Sequence, residues 1–253
     1  MITAYLQNIT AKKLFIFLIS FELFLVVMFL MNTLLYSPEN TVYKLFNLDG
    51  ERNIPALFSA SQLALIGVTF LLKGIEVKLL QKTSIFLFLV AGVGFIFLGF
   101  DEALSLHERI TGNFQHIKWL PRFKNNHGLW VVPYLLMASL LLAATYRDIL
   151  NLLRKYSYEV FLIILGMAIF VFGAVGLEII AYQFLSETEN LYLLEVALEE
   201  FLEMSGASFI FYGALQMLQD RAWAYARSRA NTTTNYVRII PKSGVRSPLA
   251  WHR

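Results

Sequence analysis

Six stretches of this chain are apolar over a length close to that of a bilayer's hydrocarbon core, and they follow one another with only short polar breaks. They run roughly from Leu14 to Tyr36, Pro55 to Leu72, Ser84 to Phe100, Leu129 to Tyr146, Tyr158 to Tyr182 and Leu191 to Leu218. A helix needs about 20 apolar residues to cross, because lipid offers no partners for free backbone groups. The pattern therefore predicts an all-α, polytopic membrane helix bundle with about six transmembrane helices. The second and third runs are short, so tilt or helix ends complete their spans. At 57% hydrophobic and 15% charged residues, no water-soluble fold of 253 residues would hide the apolar surface. One membrane domain over residues 1–230 is expected, with no internal repeat visible along it.

Orientation follows from the basic residues. With a cytoplasmic amino terminus, six crossings place on one face Lys12 and Lys13, then Lys73, Lys78 and Lys82, then Arg147, Arg154 and Lys155, and the basic tail. That leaves only Lys44, Arg52, Arg109, Lys118, Arg122 and Lys124 of the 21 basic residues outside. Basic loops stay cytoplasmic during insertion, so both termini are expected to be cytoplasmic. The first run is longer than a signal-peptide core and lacks a small-residue cleavage site, so it is read as a retained helix. Residues 231–253 are scattered in charge and lack a helical or strand period, which predicts a mobile basic tail touching anionic lipid. No folded reader accompanies that charge, so nucleic acid is not expected as a partner.

The acids gather on the other face. Of the 18 acidic residues, only Glu76, Asp148, Glu159 and Asp220 fall inside, and Glu22 lies in the middle of the first run. The third run ends Phe100-Asp101-Glu102-Ala103-Leu104-Ser105-Leu106-His107-Glu108-Arg109. On a continuous helix Asp101 and Glu108 share one face, with Gly94 further back along it as a mark of close helix approach, and Glu102 can pair with Arg109. In the sixth run Glu195, Glu199 and Glu203 recur every four residues in line with Gly206 and Gly213. The fifth run brings Glu178 to its outer end above Gly173, the second can add Ser59 and Gln62, and the loop after the third offers His116 and His127.

Ionised carboxylates facing hydrocarbon cost several kcal/mol, so acids within a span face a bundle interior or a water-filled cavity. Packed together they need protons, basic partners or a bound cation. The bland alternative is a set of solvated helix ends. With no cysteine in the chain, thiolate chemistry and disulfides are excluded, and any metal would rest on carboxylates and histidines. There is no His-Glu-x-x-His motif, no pair of Glu-x-x-His motifs and no cluster of histidine boxes. The expectation is a metal-dependent enzyme of a bacterial inner membrane, acting on a lipid or lipid-linked substrate. Asp101, His107, Glu108, Glu178, Glu199 and Glu203 would be its ligands, and Glu102 and Glu200 its proton-transfer groups. The divalent ion would be Mg, Mn or Ca, or Fe or Zn if imidazole takes part. A cation- or proton-coupled transporter and a non-catalytic subunit of a membrane complex are the alternatives. The apparent lack of an inverted repeat weighs against transport. Trp119, Trp130, Trp223 and Tyr146 read as lipid-facing filling and interfacial anchors.

Overall fold

The computed structural model describes the backbone of residues 2–81, 85–114, 116–119, 123, 128–184 and 190–239, and the side chains of 10–79, 85–114, 116–119, 123, 128–184 and 191–219. Among the described residues every regular element is helical. In chain order they are α1 (Ile2–Leu35), α2 (Thr41–Phe46), α3 (Ile54–Gln81), α4 (Phe86–Leu104), α5 (Leu106–Phe114), α6 (Val131–Lys155), α7 (Ser157–Val171), a π-helical turn (Phe172–Leu177), α8 (Glu178–Phe184) and α9 (Asn190–Ile239).

Five segments are long and apolar enough to cross a bilayer: Thr10–Leu35, Ile54–Leu79, Phe86–Leu104, Val131–Lys155 and Ser157–Phe184. The chain is thus a multi-pass membrane protein. The sixth expected run lies in α9 and is not among the five; its first turns carry Glu195, Glu199, Glu200 and Glu203. The chain divides into two compact units, Met1–Leu218 and Gln219–Arg253. In the second unit helical backbone continues to Ile239, past the Asn231 boundary read from the sequence. The alanines and arginines before that boundary are good helix formers and carry the helix through the weaker Thr232–Thr234 run.

Within the first unit polarity is inverted relative to a water-soluble fold. Leu34, Leu57, Leu79 and Leu140 are exposed, while Glu22, Lys73 and Ser208 are at most 1% exposed. Such an arrangement is stable only where the surrounding solvent is hydrocarbon.

Two helix pairs hold the core together, each sealed by glycines seven residues apart. In α3 and α4 a Cβ on Gly67 would sit 2.6 Å from Gly92 O and from Ile96, one on Gly74 would meet Phe88, and one on Gly99 would meet Ala60 O, Leu63 and Ala64. In α7 and α9 a Cβ on Gly166 would sit 2.6 Å from Gly206 O and 2.8 Å from Ile210. One on Gly173 would meet Leu202, and one on Gly213 would meet Glu159 O, Leu162 and Ile163. A single constant shift in residue number carries every α3 position in this set onto its α7 counterpart, and another carries α4 onto α9. The sequences agree where the packing does: residues 92–99 read GVGFIFLG and residues 206–213 read GASFIFYG. The chain therefore contains a repeat that the linear reading missed. Its register rests on small residues whose meaning shows only in what packs against them. Gly94, expected at a close approach, faces open space instead.

Candidate functional site

The acidic motif after α4 is not one helix. α4 ends at Leu104, Ser105 takes a left-handed conformation (φ 49°, ψ 50°), and α5 starts afresh at Leu106. This overturns the shared helical face expected for Asp101 and Glu108. The buried Asp101 holds the break together. Its Oδ1 accepts the His107 backbone N–H at 2.9 Å, and its Oδ2 lies 3.3 Å from His107 Nδ1. Burial alone would pull the His107 imidazole down in pKa, but the hydrogen bond to Asp101 and the charges of Asp101, Glu178 and Glu102 outweigh it and push it above the usual histidine value.

From His107 the network crosses to α6 and α8. The imidazole meets the Trp130 ring edge-on with centroids 5.4 Å apart. Trp130, buried at the start of α6, donates from Nε1 to Glu178 Oε1 at 3.3 Å, and the Tyr182 hydroxyl donates to the same oxygen. Trp130 is thus a buried partner of an acid and not the interfacial anchor expected from the sequence. Trp119 and Tyr146 are exposed, as anchors are, and the Trp223 side chain lies outside those described. Glu178 reaches this position through the π-helical turn just before it, an extra-wide turn made possible by Gly173, Ala174 and Gly176.

A pocket of about 260 Å³ opens beside this network, lined by Glu108, Thr111, Trp130 and Tyr182. Glu108 is exposed at its edge and hydrogen-bonds Glu51 of the loop before α3. Burial raises the Glu108 carboxyl in pKa and the Glu51 partner raises it further, while hydrogen bonds from Ser105 and Glu108 lower Glu51.

On α9 two of the acids stand against the π-helical turn, where a Cβ on Gly173 would sit 3.0 Å from Glu199 O and 3.1 Å from Glu203 N. Glu195 is buried, and the side chain acting on it most directly is another acid, Glu199. Glu199, Glu200 and Glu203 are partly buried, and the charges acting on Glu203 include those of Glu102 on α4 and Glu178 on α8. Acids from α4, α8 and α9 are thus electrostatic neighbours. Among the described residues, however, no group of three or more His, Asp or Glu side chains is placed to hold a metal ion. No ion pair joins Glu102 to Arg109 among the described residues. His116 lies exposed in a turn, and His127 falls outside the described residues.

A second polar centre lies deeper. Glu22 Oε1 accepts from Gln62 Nε2 at 2.9 Å and from Ser208 Oγ at 2.6 Å, joining α1, α3 and α9. Glu22 Oε2 and Gln62 Oε1 are buried without a partner. Gln62 and Ser208 therefore belong to this centre, whereas the sequence reading placed Gln62 near the outer acids and did not single out Ser208. Further along α3, Lys73 donates to Glu76 Oε2 at 2.9 Å and to Met217 O at 2.6 Å, and lies 5.2 Å from the Tyr156 ring centroid. The sequence carries a signal for Lys73: Ser59, Gln62, Thr69 and Lys73 follow one another at steps of three, seven and four residues on one face of an apolar helix, and all are buried.

No curated protein and no solved structure matches this chain. One family profile, described as a domain of unknown function (DUF8692), matches residues 18–217. That interval takes in the Glu22 centre, both glycine seams and the outer acids, and by this match the chain belongs to the DUF8692 family.

Proposed function

We propose that the protein is a proton- or cation-coupled membrane carrier with six crossings and both termini cytoplasmic. One observation carries this reading: buried and half-buried polar side chains stand in both halves of the bundle and at its middle. They are the acids of α9 and Glu178, the Glu22, Gln62 and Ser208 centre, and Thr69, Lys73 and Glu76. Intramembrane acids and their partners are costly to bury and mark proton or ion routes. A site confined to the outer half would need no polar centre at Glu22 and no buried lysine beyond it.

Flux into proteoliposomes tests this reading. With the purified protein reconstituted and a potential imposed across the vesicle, proton or cation entry well above that of empty vesicles is expected. Reduced entry is expected in Glu22→Gln and Glu199→Gln. Entry equal to that of empty vesicles under proton, sodium and potassium gradients would overturn the reading.

The pocket beside Glu108, Trp130 and Tyr182 favours a second reading, the metal-dependent enzyme acting on a lipid or lipid-linked substrate at the outer face. In it Glu178 and Glu108 would join Asp101, His107, Glu199 and Glu203 around a divalent ion supplied with the substrate. Elemental analysis of the purified protein with and without a phospholipid supports this only if stoichiometric metal appears and is lost in Asp101→Ala.

A further inference from the structure

We propose that α1–α3–α4 and α6–α7–α9 are an inverted repeat, and that Glu22 at their junction carries an exchangeable proton reached alternately from the two faces of the membrane. The repeat stands on the two glycine seams. Gly67 against Ile96 is reproduced by Gly166 against Ile210, Gly74 against Phe88 by Gly173 against Leu202, and Gly99 against Leu63 by Gly213 against Leu162. Three crossings separate α3 from α7, so if each helix crosses in turn the matching helices run in opposite senses through the bilayer. Two units of that kind are related by an axis in the membrane plane, and carriers so built place their coupling sites near mid-bilayer at the repeat interface.

Glu22 occupies that place. It belongs to the first repeat, as does Gln62, and both bond Ser208 of the second repeat or lie against it. With Glu22 fully buried, an ionised carboxylate there would have only two neutral donors, both on Oε1, and none on Oε2. The groups facing it from α3 and α9 are uncharged. The nearest ionisable groups along each helix are Lys13 on α1, Lys73 on α3, and Glu203 and Tyr212 on α9. Lys73 stands about 16 Å of helical rise from Gln62. A proton on Oε2 removes the unpaired charge and supplies the missing donor, with Gln62 Oε1 as an open acceptor in the same centre. Loss of that proton to either side then requires a water path along Ser59 or along Thr69, which flank Gln62 on the buried face of α3.

The coupling role rests on the carrier reading, but the repeat and the proton site do not, and the test separates them. Native membranes are treated with dicyclohexylcarbodiimide, which reacts with protonated carboxyls in apolar surroundings, and peptides are resolved by mass spectrometry. An adduct on Glu22 is expected, absent in Glu22→Gln, with a yield that falls about tenfold per pH unit above its midpoint. No adduct on Glu22 at any pH would overturn the site, and protection by sodium at fixed pH would overturn the proton in favour of a cation. Because the chain has no cysteine, Ser59→Cys and Thr69→Cys each report on one side. In the Glu22→Gln background, which keeps the shape and hydrogen bonding of the protonated acid, their alkylation by a membrane-impermeant reagent is expected to shift reciprocally, one rising as the other falls. Parallel changes, or no reaction at either position, would overturn alternating access. Reciprocal shifts in a protein that passes no flux would leave the site and its two-faced exposure standing while the carrier reading falls.

Discussion

At one end of the α3/α4 seam, Gly74 lies next to Lys73, and the acid nearby, Glu76, is bound by that lysine at 2.9 Å. At the matching end of the α7/α9 seam, Gly173 lies next to Phe172, and the acids nearby, Glu178, Glu199 and Glu203, meet neutral donors or one another. The backbones approach in the same way at both places, so packing does not account for the difference in charge. Glycine seams fix where the helices meet, and the side chains beside them are free to differ. One end of the bundle is neutralised internally, and the other keeps an excess of negative charge whose protons or cations must come from outside.

The largest effect expected is at the neutralised end. Lys73→Met strands Glu76 and leaves Met217 O without its donor, at a cost of about 3–5 kcal/mol. The double variant Lys73→Met/Glu76→Gln recovers most of that. Thermal unfolding in detergent reads both, and a single variant as stable as the parent would show that Glu76 is not held by Lys73 alone. Next in size is the seam itself. A Cβ at Gly206 would meet the backbone of Phe170 and Gly166 at 2.5 and 2.7 Å, whereas one at Gly92 would first meet the Leu71 side chain at 2.6 Å. Gly206→Ala is therefore expected to cost about 1–3 kcal/mol, Gly92→Ala less because a leucine side chain can move, and Gly94→Ala nothing measurable. If Gly92→Ala proves the costlier, the two seams do not bear load in the same way.

The apolar runs made the helices legible in advance, because lipid imposes both their length and their composition. Glu178, Glu199 and Glu203 were legible as acids that had to face other helices. The break at Ser105 was not. A left-handed serine has no strong sequence mark, and what stabilises it is the carboxylate of Asp101 reaching six residues along the chain to His107. The π-helical turn was equally hidden, since Gly173 and Gly176 also read as ordinary helix-packing glycines. Glu22 could be located but not explained, because its partners lie 40 and 186 residues away. The repeat escaped for a related reason: of the residues that define it, only the glycines, the FIF core and the leucine pair Leu63 and Leu162 are shared, and the other positions differ.

At the acidic end, removing charge is expected to help. Glu199 lies within reach of the charges of Glu178, Glu195 and Glu200, so Glu199→Gln, which cannot ionise, is expected to raise stability by about 1 kcal/mol at alkaline pH, where the carboxyl would otherwise add to that repulsion. A loss of similar size would mean that Glu199 accepts a hydrogen bond worth more than the repulsion it suffers.

The smallest effect is the one whose sign is most informative. His107 titrates above the ordinary histidine value of 6.5, because although burial pulls it down, Asp101 and the nearby acids outweigh burial. A histidine raised in the folded state adds stability that is complete below its unfolded pKa and disappears as pH rises through the folded one. The parent is therefore expected to melt a few degrees above His107→Gln at acidic pH, with the gap closing as pH rises past 6.5. The difference between the two proteins isolates the histidine from the many carboxylates that titrate alongside it. If instead the gap opens with rising pH, burial has won over Asp101 and the imidazole is neutral. The α4/α5 junction would then be held by the Asp101 contact to the His107 backbone N–H, leaving the acids of that end without their nearest positive charge.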